Sequence, residues 1–209
     1  SAGNDDMTEL RFTDDAVAQT MLELDVTGAP DPAYVIIEGF HVNWAANATT
    51  SATKIFVGRE GVTAGPVWIK QCRFTYSELV RGAIFSDTTA GVADGGLSCE
   101  ISHNYIEDAG STGGSAFLVN LHHRSSVASF HHNVIYVTGN YAHRASVISM
   151  GSNDGDTTDH RVYNNTWYNT VNQSQILWSS NDTSSTGCNA TRHLHSNVVF
   201  TVQTSAAYQ

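Results

Sequence analysis

The chain is 209 residues long, enough for one domain with a sizeable buried core. Charged residues make up 14% of it, with 10 Lys and Arg against 20 Asp and Glu, a formal net charge of −10. That balance argues against nucleic acid or an anionic membrane surface as a partner, since both require a basic patch, and no apolar run approaches the roughly 18 residues of a membrane-crossing helix.

Lys54 and Lys70 are the only lysines, while Ser, Thr, Asn and Gly abound, a composition suited to β-turns and polar strand faces rather than to helices. The opening residues SAGNDD contain neither an initiator Met nor a signal-like apolar segment, as expected of a processed or excised product. Cys72, Cys99 and Cys188 occupy three different contexts, which reads as free thiols and permits at most one disulfide. Sequons at Asn47, Asn164, Asn172, Asn181 and Asn189 are no more than this Asn-, Ser- and Thr-rich composition would yield by chance.

Residues 1–33 carry no good copy of the repeat described below. Leu10–Phe12 and Met21–Val26 alternate as strands do, and Ala29-Pro30-Asp31-Pro32 then stops regular pairing because proline removes a donor. This part is expected to be a first rung or cap, the alternative being a short helix over 14–22. From Tyr34 onward a frame, apolar-x-x-Z-x-apolar, recurs six times: IEGFHV, IKQCRF, ISHNYI, FHHNVI, VYNNTW and LHSNVV. Z is Phe40, Cys72, Asn104, Asn133, Asn165 and Asn197, at intervals of 32, 32, 29, 32 and 32 residues. A fixed period between 20 and 50 residues marks a solenoid, whose units bury their apolar faces only by stacking on one another.

Each unit adds a second apolar stretch after its frame: KIFVG (54–58), GAIFS (82–86), AFLVNL (116–121), SVISM (146–150) and QILWS (175–179). Gly, Ser, Thr and Asp clusters such as TTAGVADGG (88–96) and AGSTGG (109–114) separate the strands, and no helical periodicity lies between them. Strand, turn, strand, turn predicts one coil of a parallel β-helix per unit. The βαβ alternative lacks its helices, and the leucine-rich repeat lacks its Leu and Asn pattern. The fold class predicted is thus an all-β, right-handed parallel β-helix of about six to seven coils spanning residues 34–209. Alternation places Ile37, Ile69, Ile101, Phe130, Val162 and Leu194 inward, and with them Val42, Phe74, Ile106, Ile135, Trp167 and Val199.

YVIIEGFHV (34–42) and the Asn-bearing frames CEISHNYI, SFHHNVI, RVYNNTW and HLHSNVV give the chain a resemblance, over about Tyr34 to Phe200, to the right-handed parallel β-helix proteins typified by pectate lyases and phage tailspikes. The resemblance implies that Asn104, Asn133, Asn165 and Asn197 form a structural ladder, turned inward at a bend and bonded to neighbouring backbone. Asparagine suits that place because it tolerates a left-handed turn conformation and because its amide both donates and accepts.

Two outward columns flank the first inward one and gather Trp68, Glu100, His131, Arg161, Tyr163, His193 and His195 on one sheet face. Rings and fork-shaped donors along a groove suit a polysaccharide, whose sugars stack on rings and hydrogen-bond through hydroxyls; the same residues also suit an ordinary solvated face. Asp87, Asp154 and Asp182 follow second strands, with Asp94, Asp156 and Asp159 near by. Hydrolysis of a glycosidic bond needs two carboxylates about 5 to 9.5 Å apart, and a lyase would want a Lys or Arg base beside an acidic metal site, for which Arg161 near Asp159 and Asp154 is the nearest approach. No cofactor is required; Asp154, Asp156 and Asp159 are the candidate ligands should a Ca²⁺ ion bind. Asp and Asn before Gly are equally the stuff of plain turns. Metal binding by His122-His123, His131-His132 or His193 with His195 meets an obstacle, because strand neighbours face opposite ways and two ligands do not make a structural zinc site.

Three functions remain open: a structural or decoration subunit of a surface assembly such as a phage virion or extracellular filament, a polysaccharide lyase or glycoside hydrolase, and a non-catalytic glycan-binding module. The first is favoured by short loops and by the few residues after the last frame, which offer no amphipathic helix to cover the open β edge. A homo-oligomer or larger assembly and an extracellular or virion-surface location follow as expectations, with a polysaccharide as the candidate ligand.

Overall fold

The computed structural model describes residues 7–12, 20–24, 35–44, 54–58, 67–76, 99–108, 117–122, 127–137, 146–152, 157–169, 175–181 and 189–201. All its regular elements there are strands. The chain opens with β1 (Thr8–Phe12) and β2 (Thr20–Leu24). β3 (Val35–Glu38), β4 (Phe40–Trp44) and β5 (Lys54–Gly58) form the first repeat, and β6 (Val67–Lys70) and β7 (Arg73–Tyr76) belong to the next. Three repeats of three strands follow: β8 (Cys99–Ser102), β9 (Tyr105–Asp108) and β10 (Phe117–His122); β11 (Val127–His131), β12 (Val134–Val137) and β13 (Ser146–Ser152); and β14 (Thr157–Tyr163), β15 (Thr166–Asn169) and β16 (Gln175–Asn181). β17 (Asn189–His195) and β18 (Val198–Thr201) come last.

Equivalent strands of successive repeats pair in parallel. One sheet has the order β1-β4-β7-β9-β12-β15-β18, a second β17-β14-β11-β8-β6-β3, and the second strands pair as β10-β13-β16 and β2-β5. The chain is therefore all-β with parallel strands stacked in sheets, consistent with the solenoid that the repeat implies. Of the predicted second strands, 82–86 lies outside the described residues. At the N-terminal end β1 pairs with β4 and β2 with β5, so residues 20–22 are strand rather than the end of a helix.

Register follows the frame. Ile37, Ile69, Ile101, Phe130, Val162 and Leu194 are successive partners, as are Leu10, Val42, Phe74, Ile106, Ile135, Trp167 and Val199. A slip of one residue would turn each apolar column to solvent, so burial pins the register. Both columns are buried through their length except at the terminal members Leu10, Leu194 and Val199, which stay 40%, 50% and 42% exposed.

The bend between the two main sheets repeats without variation. The residue before Z has positive φ in every repeat: Gly39 at 77°, then Gln71, His103, His132, Asn164 and Ser196 between 53° and 57°. This corrects the expectation that the ladder asparagines themselves take the left-handed conformation. The reversal falls one residue earlier, where five of six positions are not glycine, and the asparagine at Z is then free to point inward. Backbone hydrogen bonds run on through the bend, from the N–H of Gln71, His103, His132 and Asn164 to the carbonyls of Ser102, His131, Tyr163 and His195.

At Z the amides form one chain. The Oδ1 of Asn104 accepts from the N–H of Cys72, that of Asn133 from Asn104, that of Asn165 from Asn133 and that of Asn197 from Asn165, at 2.9 to 3.1 Å. Each Nδ2 donates back to the apolar residue three before Z in the preceding repeat, Ile69, Ile101, Phe130 and Val162 respectively. It also reaches Oδ1 of the next asparagine, at 3.1 Å, in Asn104, Asn133 and Asn165. Cys72 holds the same position one repeat earlier, its thiol 3.3 Å from the Lys70 carbonyl and 3.7 Å from that of Ile37. Burial pushes the Cys72 thiol above its usual pKa, and the thiolate is the reactive form. Peptide mapping after iodoacetamide treatment should find Cys72 modified only when the protein is denatured; prompt modification of the native chain would contradict the buried position.

Candidate functional site

The outer face of the sheet built from β3, β6, β8, β11, β14 and β17 carries the residues that alternation had gathered there. Ile36, Trp68, Glu100, Ser129, Arg161 and His193 are successive partners in one column, and Glu38, Lys70, Ser102, His131, Tyr163 and His195 in the next. The structure thus brings the seven glycan-contact candidates onto one face. What their side chains do there is mostly to engage one another.

The Lys70 ammonium lies 3.4 Å from Glu38. Arg161 clasps Asp159, two residues earlier on the same strand face, through Nε at 3.1 Å and Nη2 at 2.6 Å, and His193 Nε2 lies 3.6 Å from the same carboxylate. The hydrogen bonds from Arg161 hold the Asp159 carboxyl below its usual range, and Asp159 in turn raises the guanidinium. Arg161 is thus engaged as a donor to Asp159. Asp159 is likewise committed to Arg161 before any metal. Its expected partners Asp154 and Asp156, like Asp87, Asp94 and Asp182, lie outside the described residues, and among the described residues no three His, Cys, Asp or Glu are grouped to hold a metal ion.

His131 departs from the exposed position expected of it, since its side chain is only 11% exposed. Its ring stacks on Tyr163 at 4.6 Å and 11°, and Tyr163 stacks on His195 at 5.1 Å and 12°. Both faces of Tyr163 are therefore covered by neighbouring rings. A sugar could reach its hydroxyl edge but could not stack on its face. Trp68 is half-buried on the same sheet.

Two features were missed in the sequence. One is the turn column itself, where His103 and His132 stack in parallel at 5.0 Å and 1°, and the Asn164 amide lies 3.3 Å from His132 Nε2. The fixed place one residue before Z was the available signal. The other lies on the opposite main sheet, where the outward residues divide into two zones. Towards β1 they pair off as Asn43 with Glu9, His41 with Thr75, and Arg73 with both Glu107 and the Tyr105 ring. Towards β18 they are uncharged: Val134, Thr166 and Val198 beside a file of Tyr136, Tyr168 and Phe200, with ring centroids 5.1 and 6.3 Å apart.

Fold and face together define an all-β protein of parallel stacked strands with a side-chain amide ladder and a self-paired polar and aromatic outer face. Compared with family models, with curated proteins and with solved structures, the chain has no match in any of the three.

Proposed function

We propose that this chain is a right-handed parallel β-helix of six to seven coils, of the pectate lyase-like or tailspike-like kind, serving as a structural or decoration subunit of a surface assembly. The observation that carries the reading is the mutual pairing across the candidate face: Lys70 with Glu38, Arg161 with Asp159, and His131, Tyr163 and His195 ring on ring. A rod that must stay rigid gains from outer columns that tie neighbouring repeats together, as Lys70 with Glu38, His193 with Asp159 and the stack of His131, Tyr163 and His195 do. The assembly would be a homo-oligomer or larger array at a virion or extracellular surface, with any polysaccharide contact made by exposed edges such as Arg161 and His193.

Native mass by light scattering, measured with and without a panel of anionic and neutral polysaccharides, tests this together with solution viscosity. A stable oligomer that leaves viscosity unchanged is the expected result. A monomer that lowers viscosity would overturn it in favour of an enzyme, a lyase if an unsaturated, ultraviolet-absorbing product appears and a hydrolase otherwise.

A further inference from the structure

The turn beside the asparagine ladder contains a hydrogen-bonded chain whose proton positions are fixed from both ends. Glu100 Oε1 lies 3.2 Å from His131 Nε2, His131 Nδ1 lies 2.8 Å from His132 Nδ1, and His132 Nε2 lies 3.3 Å from the Asn164 amide nitrogen. A carboxylate can only accept, so His131 carries its proton on Nε2 and presents a bare Nδ1. His132 must then donate from Nδ1, which leaves its Nε2 to accept from the Asn164 amide. Each ring is neutral, in opposite tautomers, and all four ring nitrogens have a partner.

An additional proton forces the chain to rearrange. On His131 it would occupy Nδ1 and face the Nδ1–H of His132 at 2.8 Å, a donor-donor clash relieved only if His132 moves its proton to Nε2 and the exposed Asn164 amide turns over to accept it. We propose that Glu100, His131, His132 and Asn164 form an acid-sensitive clamp across three successive repeats, closed while both imidazoles are neutral and broken at its present hydrogen bonds when His131 takes up a proton. What opens is the bend itself, since His103, His132 and Asn164 are its left-handed residues.

Opposing influences face His131 from each packed element. From β8, Glu100 favours the cation, as does the Tyr163 ring from β14 through its π face. Burial, His132 and His103 disfavour it, and the remaining charges near by, Lys70 with Glu38 and Arg161 with Asp159, are already paired. Burial is the largest influence and holds the His131 pKa below its ordinary 6.5. The unfolded chain therefore takes up the proton first, so stability is whole above pH 6.5 and declines as the pH falls through that value.

Nitrogen-15 spectra of the histidine rings of the native protein at neutral pH should show His131 protonated at Nε2 and His132 at Nδ1, with the His131 ring taking up its second proton only below its ordinary range on acidification. The companion variant is His132→Asn, which keeps a residue suited to positive φ and removes the clash. Between pH 7.5 and 5.0 the wild-type melting temperature should fall by about 3 °C more than that of this variant. His41, also held below its ordinary pKa by burial, contributes equally to both proteins and cancels. The reverse tautomers or parallel melting curves would each overturn the clamp.

Discussion

Replacing Asn133 with leucine is expected to lower the stability of the protein by about 4 kcal/mol. Asn133 Oδ1 accepts from the N–H and Nδ2 of Asn104, and its own Nδ2 donates to the Ile101 carbonyl and to Asn165 Oδ1. Leucine leaves the Asn104 N–H and the Ile101 carbonyl without these partners in a place that water does not reach, each at about 1 to 3 kcal/mol. Asn197→Leu, at the half-exposed end of the same ladder, should cost less than half as much because solvent can substitute for the lost bonds. Asn133→Asp separates the two functions of the amide. It keeps an acceptor for Asn104 but points an oxygen at the Ile101 carbonyl, which is tolerable only if the carboxyl is protonated. Its pKa in the folded state is thereby raised above the unfolded value of about 3.9, so the variant is most stable below that value and loses stability as the pH rises through the folded pKa. Urea unfolding followed by circular dichroism at several pH values checks both variants. A leucine variant within about 1 kcal/mol of wild type would show that the ladder does not hold the repeats together.

The parts of this fold that could be read from the sequence are those set by strict alternation. Ile69, Ile101, Phe130 and Val162 recur at one place in the frame because a parallel stack allows that column no other register, and the asparagines recur because only a side chain that donates and accepts can bond to the repeats on both sides. The position of the bend was less legible. Its residues Gln71, His103, His132, Asn164 and Ser196 share a conformation but no chemistry, and a left-handed turn leaves little trace in sequence when glycine is not used. For the candidate face, the columns were predictable from period two, and the pairing within them was not. Arg161 reaching Asp159, or His131 tilting to meet both Glu100 and His132, depends on rotamers that the frame does not encode. The neutral file of Tyr136, Tyr168 and Phe200 escaped notice for a different reason: its members lie one residue beyond the frame, so no alignment on the frame drew attention to them.

Phe130→Ala should cost about 4 kcal/mol, the usual range for deleting a fully buried phenylalanine being about 3 to 5. The ring is buried between Ile101 and Val162 in its column and lies 6.4 Å from the Trp167 ring of the adjoining one. In a globular core such a loss is shared among contacts from every direction. Here the column offers neighbours mainly above and below, so the cavity falls on the junctions that couple β8 and β9 to β14 and β15. Stability in stacked repeats is close to a sum of repeat and nearest-neighbour contributions, and weakening the middle junctions should let the two ends of the chain unfold separately. The expected result is a urea transition that both shifts to lower concentration and broadens, with a fall in apparent m-value that signals loss of two-state behaviour. Val199→Ala, in the half-exposed last strand, should change neither by much. Hydrogen exchange distinguishes the mechanism: protection should drop first in β11 and β12 and persist longer in β4 and β7. A single sharp transition with uniform loss of protection would mean that the strands unfold as one cooperative unit, and that the nearest-neighbour description of this stack is wrong.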